Sequence, residues 1–358
     1  PLGISMALMW WVPPFPDPWR FLWFVLIASL FQASYSGVNL PYSALATELS
    51  TDVNLRTRLN SARFTGSVLA SLVGLLLGAA LSHKGAAGYW SIGLAAGAIL
   101  IVGSLLSAFG LAPAAARCQR PSQEHRPLLP QLRSLSHNGF FLRVVSLYLL
   151  VWGALQLMQP VAIIFLSDGL HLPHSWSTSL LIPFQISAMV GIWIWNQVAA
   201  QRSRLLALQI GGSAWVILCL ITMLLPALPQ GQTPLEPANR TDLALLLVSL
   251  VGLGISAATA YLLPWAFLPD AVDAEPEHPA GLITAFMVQI QKLGSALSVF
   301  ALGLLLSWSG YNPALNDNQP TSALVMIRLC MGLIPALLVV ASLWVMRDWN
   351  RLLTTKPA

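Results

Sequence analysis

Long apolar runs recur along the chain at about 19–45, 60–82, 88–112, 140–166, 177–199, 205–227, 242–267, 280–308 and 321–346, separated by short polar or proline-rich turns. A shorter apolar run at 2–14 precedes them and ends in Pro13-Pro14-Phe15-Pro16, with Trp10, Trp11 and Trp19 marking a membrane interface. The long runs are about the ~20 residues a helix needs to cross a hydrocarbon core. Alternation over ~10-residue strands, the mark of a transmembrane barrel, is absent from the sequence. The pattern therefore predicts an all-α integral membrane protein with ten candidate spans.

Composition strengthens that class: 56% of residues are hydrophobic, 9% are charged and the mean hydropathy is +0.70. Soluble domains carry about 25% charged residues. The net charge of +5 and pI near 9.4 do not signal nucleic-acid binding, because no basic cluster stands on a soluble domain. The arginines set topology instead. Arg56 and Arg58, then Arg117, Arg120, Arg126 and Arg133, then Arg202 and Arg204, and the tail residues Arg347, Arg351 and Lys356 all fall on one side when ten spans alternate. That side is expected to be cytoplasmic. The acidic turn at 268–279 lies on the same side, and acidic residues weigh little in this rule. Cys118, Cys219 and Cys330 are widely spaced and read as free thiols.

The polar segment 113–139 divides the chain into an incomplete N-terminal bundle, 1–112, with four spans, and a C-terminal six-helix bundle with a short tail, 140–358. Two equal halves would require two further spans at the N-terminus, and the chain opens on Pro1, so a longer protein is expected. Gly74 with Gly78, and Gly93 with Gly97, have the spacing of close helix packing.

Polar groups inside apolar runs are the candidates for chemistry, because each is costly in lipid. Gln32, Ser36, Asn39 and Ser43 follow spacings of four, three and four, which places them on one helical face. Pro41 on that helix frees a backbone carbonyl. Lys292 lies about twelve residues inside its run with Gln289 three residues earlier, which favours a binding or coupling role. Arg63 and Arg328 lie near the ends of theirs: Arg63 reads equally as functional or snorkelling, whereas the structural reading is preferred for Arg328. Asp168, His171 and His174 cluster in an outer loop, where an exposed loop is preferred to a metal site. Phosphate-binding loops, nucleophile elbows and zinc-protease motifs are lacking from the sequence, so an enzyme is not expected and transport would draw on an ion gradient.

NLPYSALATELSTDVNLRTRLNSARF and LLPWAFLPDAVDAEPEHPAGLITAFMVQIQKLGSAL resemble two blocks of the glycoside-pentoside-hexuronide:cation symporter family of the major facilitator superfamily. The first block resembles the end of its fourth helix and start of its fifth, the second its tenth-to-eleventh helix region. PLGISMALMWWVPP is similar to its short third helix. The resemblance implies a twelve-helix bundle of which ten helices are present, and alternating access. It also implies uptake of a sugar or related small solute with Na⁺ or H⁺ across a cell inner (cytoplasmic) membrane by a monomer. Ser36 falls at a hydroxyl near the family's cation site, and Asn39 and Ser43 fall at sugar-binding positions. Arg63 and Lys292 match its helix-five Arg and helix-eleven Lys. Together with Gln289 these residues are expected to bind solute, with Ser36 a partial cation ligand and Asp270 and Asp273 a cytoplasmic gate. Asn39 and Ser43 replace the carboxylate and indole of sugar-transporting members, and PYSAL is closer to the lysophospholipid-transporting animal branch. Transport of a lysolipid or other amphipath is therefore the alternative, and a receptor or assembly factor on the same scaffold is a further one.

Overall fold

Helices follow the apolar runs because a backbone in hydrocarbon must satisfy its own hydrogen bonds. The computed structural model describes residues 1–48, 66–67, 69–78, 80–81, 84–115, 139–227, 236, 239–273, 280–315 and 318–349. Among them every regular element is helical, and eight helices are long and apolar enough to cross a membrane. The chain divides into two compact units, Pro1–His125 and Arg126–Ala358, with the division inside the polar 113–139 segment.

The N-terminal unit contains α1 (Leu2–Met9), α2 (Asp17–Glu48), α3 (Leu69–Gly78) and α4 (Gly85–Ala115). At about 12 Å, α1 is too short to span a core of about 30 Å. Trp10 ends it, and the proline cluster that follows cannot continue a helix. A Cβ added at Gly97 would stand 2.5 Å from the Gly3 carbonyl oxygen, and one added at Gly93 2.5 Å from the Trp10 Cβ. These glycines let α1 lie directly on α4, while Trp10 stacks on Tyr89 with ring centroids 6.0 Å apart. Gly74 and Gly78 differ, having no atom of the described residues within 4 Å of such a Cβ.

The C-terminal unit comprises α5 (Gly139–Ile164), a π turn (Phe165–Gly169), α6 (His174–Gln201), α7 (Arg204–Leu224), α8 (Arg240–Asp273), α9 (Ala280–Trp308), α10 (Thr321–Met331) and α11 (Leu333–Met346). Its core is built on α5, where Phe141, Val144, Tyr148, Val151, Leu155 and Met158 are buried at helical spacing. Ser203 caps α7, its hydroxyl accepting from the Leu206 amide at 3.0 Å. At 34 residues, about 51 Å long, α8 outruns the hydrocarbon core and carries its last turn into water. The run at 321–346 breaks at Gly332, where a Cβ would meet Met223 Cβ at 2.4 Å, so α10–α11 can approach α7 only through glycine. The outward side of α9 is apolar: Phe300 is 64% exposed and Trp308 78%.

Candidate functional site

One continuous helix, α2, carries Gln32, Ser36, Asn39 and Ser43 and runs through Pro41, so the four positions share a face. Gln32 is exposed; Ser36 and Asn39 are half-buried. The Ser36 hydroxyl donates to the Gln32 carbonyl at 2.8 Å. The side chain of Ser43 and the whole of Arg63 lie outside the described residues.

In the C-terminal unit, Lys292 is half-buried on α9 and Gln289, one turn earlier, is exposed. Three residues after Lys292, Ser295 accepts a hydrogen bond from the Trp152 indole at 2.8 Å and donates to the Gln291 carbonyl at 2.9 Å. Trp152 meets Tyr261 of α8 edge-on, at 90° and 5.5 Å between centroids. Gln159 donates its amide to the Tyr261 phenol oxygen at 3.2 Å. Tyr148 backs the group, tilted 59° to Trp152 and 71° to Trp265. Tyr148 is buried, whereas Trp152, Tyr261 and Trp265 are half-buried. This makes a half-buried aromatic cluster with fixed polar edges, and Lys292 lies three residues before Ser295 on α9.

The sequence reading missed this cluster, although its spacing was visible. Tyr148, Trp152 and Gln159 stand four and seven residues apart on α5, and Tyr261 and Trp265 stand four apart on α8, so each set shares a helical face. The interfacial reading covered Trp10, Trp11 and Trp19 only, and the aromatic spacing inside the runs 140–166 and 242–267 was not followed.

Arg204, at the first turn of α7, donates to the Ala266 carbonyl at 2.6 Å and lies 5.5 Å over the Phe267 ring. That fastens α7 to α8 one turn before Asp270. Asp270 and Asp273 occupy the end of α8, and their side chains lie outside the described residues.

The opposite end of the unit is held by two polar groups. Asp168, on the π turn, accepts from the Ser167 hydroxyl at 2.6 Å and from the Tyr311 phenol at 2.9 Å. Burial, then the Asp168 hydrogen bond and charge, push the Tyr311 phenol from its ordinary value of 10 up to about 12. Arg328 donates to the carbonyls of Met223 at 2.9 Å, Leu225 at 2.7 Å and Gly169 at 3.3 Å. One guanidinium thus caps the end of α7 and the π turn, a structural role. His171 adopts φ +56 just past the π turn, and the side chain of His174 lies outside the described residues.

Comparison with known proteins follows the same lines. The family described as MFS/sugar transport protein matches residues 1–349. An uncharacterised symporter of Synechocystis sp. is 26% identical over 96% of this chain and 78% of its own length. The sodium-dependent lysophosphatidylcholine symporter 1 of Mus musculus is 23% identical over 95% of this chain and 68% of its own. The sphingosine-1-phosphate transporter MFSD2B of Xenopus tropicalis is 23% identical over 96% and 71%. Among the described residues eight membrane-length helices lie within the matched range. The chain is a multi-pass membrane protein and belongs to the MFS/sugar transport family of the major facilitator superfamily.

Proposed function

We propose that this protein is a secondary active transporter that couples Na⁺ or H⁺ entry to movement of an amphipathic solute bearing a phosphate group, by alternating access. The observation that carries this reading is the aromatic cluster of Trp152, Tyr261 and Trp265 with Lys292 one turn along α9 from Ser295. A ring surface suits an apolar or weakly polar body, and a half-buried ammonium group suits an anion. The names of two relatives support the class: lysophosphatidylcholine and sphingosine-1-phosphate are both phosphate-bearing amphipaths. Asn39 and Ser43, which lack a charge and a ring, fit a weaker polar contact.

In this reading Lys292 and Gln289 contact solute from the C-terminal unit, and Asn39, Ser43 and Arg63 are the candidates in the N-terminal unit. Ser36 supplies one oxygen of a cation site. Asp270 and Asp273 act in a gate at the cytoplasmic end of α8. The protein works as a monomer in the cell inner membrane. A second reading, a sugar or related small solute, is favoured by Gln159 and the half-buried rings, since aromatic faces also stack on sugars.

Uptake by the full-length protein in proteoliposomes separates these. Labelled lysophosphatidylcholine, sphingosine-1-phosphate and a methyl glycoside are compared under Na⁺ and H⁺ gradients. Gradient-driven uptake of a lysolipid, reduced at least tenfold by Lys292→Ala, supports the proposal. Uptake of the glycoside alone selects the sugar reading. No gradient-dependent uptake of any, or a biological function untouched by Lys292→Ala and Asn39→Ala, leaves a receptor or assembly role.

A further inference from the structure

We propose that the seam between α7 and α11 binds an anionic phospholipid of the cytoplasmic leaflet, with its phosphate on Arg347 and Arg202 and an acyl chain along the outward sides of the two helices. This lipid is a bound partner of the protein and not the solute it moves.

The two helices meet directly, since a Cβ added at Gly212 of α7 would stand 2.9 Å from Leu343 Cδ2 of α11. Beside that contact each helix carries an exposed apolar stripe at helical spacing: Leu206, Ile210 and Ile217 on α7, and Leu337, Val340 and Trp344 on α11. The membrane-length segments to which these stripes belong begin at Arg204 and end at Met346. Arg202 and Arg347 therefore stand within two residues of the hydrocarbon edge, at headgroup level. The distribution of arginine along the chain assigns this edge to the cytoplasm.

Trp344 is 63% exposed, and the Arg347 guanidinium lies 5.0 Å from the centre of its ring. A tryptophan at this depth sits at the membrane interface, and the cation over it is held at the same level. Asp348 accepts from the Arg347 Nε–H at 3.1 Å, an exposed pair of small energy. The terminal nitrogens of Arg347 and the whole guanidinium of Arg202 have no partner among the described residues. Arg204 differs, being committed to the Ala266 carbonyl and the Phe267 ring. A planar guanidinium fork matches two oxygens of a phosphodiester. Charge then selects among lipids. Arg202 and Arg347 face one carboxylate, Asp348, and Arg351 and Lys356 follow in the tail, so the rim is positive. A headgroup whose phosphate is its only charge gains about fivefold for each nearby arginine, whereas an ethanolamine or choline headgroup brings its own cation and forfeits that gain.

The test reconstitutes the full-length protein in vesicles of equal phosphatidylglycerol and phosphatidylethanolamine. A trace of either lipid carries the same photoreactive acyl chain, and labelled peptides are mapped by mass spectrometry. No ion gradient is applied, so the readout does not depend on transport. In the wild type the phosphatidylglycerol probe is expected to label 204–213 and 337–347 at least about fivefold more than the phosphatidylethanolamine probe. The far end of α7, near Leu224, should take both probes equally. Arg202→Gln combined with Arg347→Gln should bring the ratio at the seam to near one. Arg347→Lys, which keeps the charge, should retain about half of the preference or more, and salt at about 1 M should weaken it in the wild type. Equal labelling by the two probes in the wild type overturns the proposal, as does a preference that the double glutamine variant keeps. Labelling of neither segment by either probe overturns it too, and marks the seam as covered by protein. If the glutamine variant fails to fold, the wild-type ratio and its loss in salt decide.

Discussion

Replacing Arg328 tests whether one guanidinium holds the end of the C-terminal unit. Its three acceptors are the carbonyls of Met223, Leu225 and Gly169, two at 2.9 and 2.7 Å and one at 3.3 Å. Hydrogen bonds to charged groups contribute about 1.5–3 kcal/mol each, so the two short ones bound the loss at ~3–6 kcal/mol. Two effects reduce it: a leucine no longer has to be desolvated as a charge, and polar contacts between membrane helices measure only ~0.6 kcal/mol on average. We expect Arg328→Leu to destabilise the unit by about 2–4 kcal/mol, a fall in Tm of roughly 4–16 °C. Arg328→Lys should recover less than half, because an ammonium lacks the planar fork that reaches separate carbonyls. The assay is thermal unfolding in detergent read by a thiol-reactive dye in a Cys118→Ser background, since Cys219 and Cys330 are buried in this unit and react on unfolding. The exposed Arg347→Leu is the control, expected within about 0.5 kcal/mol of wild type. An Arg328→Leu protein as stable as that control refutes the capping argument.

Three other perturbations follow from single contacts. Tyr311 titrates at about 12 in the folded protein against an ordinary 10, so its neutral form is the one favoured by folding. The stability it adds is complete below pH 10 and is lost as pH rises from 10 to 12; Tyr311→Phe should remove that alkaline step from a pH series of unfolding midpoints. Gly97→Leu forces a side chain into the Gly3 carbonyl and should cost about 1–3 kcal/mol, read as loss of the folded species in size-exclusion chromatography after heating. Ser36→Ala removes a hydroxyl that donates to the Gln32 carbonyl within its own helix, so stability should change by less than about 0.5 kcal/mol. A rise in the Na⁺ or H⁺ concentration needed for half-maximal uptake by that variant would mark Ser36 as a cation ligand.

The spans were legible because hydrocarbon imposes one solution on the backbone, and the apolar runs from 19–45 to 321–346 correspond to described helices of nearly the same bounds wherever the chain is described. The breaks were less so. Pro335, which offers no N–H to the Met331 carbonyl, stands three residues after Gly332 and was the local signal of that break; the contact of Gly332 with Met223 is the part that no local pattern shows. The π turn at Phe165–Gly169 is silent in the pattern, since it depends on the Leu170 amide reaching back to Phe165 and on partners from distant helices. Arg328 was rightly read as structural from its position near a span end, but its partners lie more than 100 residues away in sequence, beyond any local rule. The candidate site divides similarly: periodicity picked out the α2 face and Lys292, whereas the Trp152–Tyr261 cluster needed α5, α8 and α9 to be assembled.

The Arg328 cap also sets an order of events during synthesis. Met223 and Arg328 are 105 residues apart, so at about 5–20 residues per second the carbonyls ending α7 wait on the order of 5–20 seconds before their donor is made. During that interval they can be satisfied only by water at the bilayer surface or by the insertion machinery. The nascent unit is therefore expected to hold the end of α7 at the interface and to draw it into its final seat when α10 arrives. A ribosome stalled before Arg328 emerges should leave Cys219 open to thiol reagents, and one stalled well past it should leave that thiol protected.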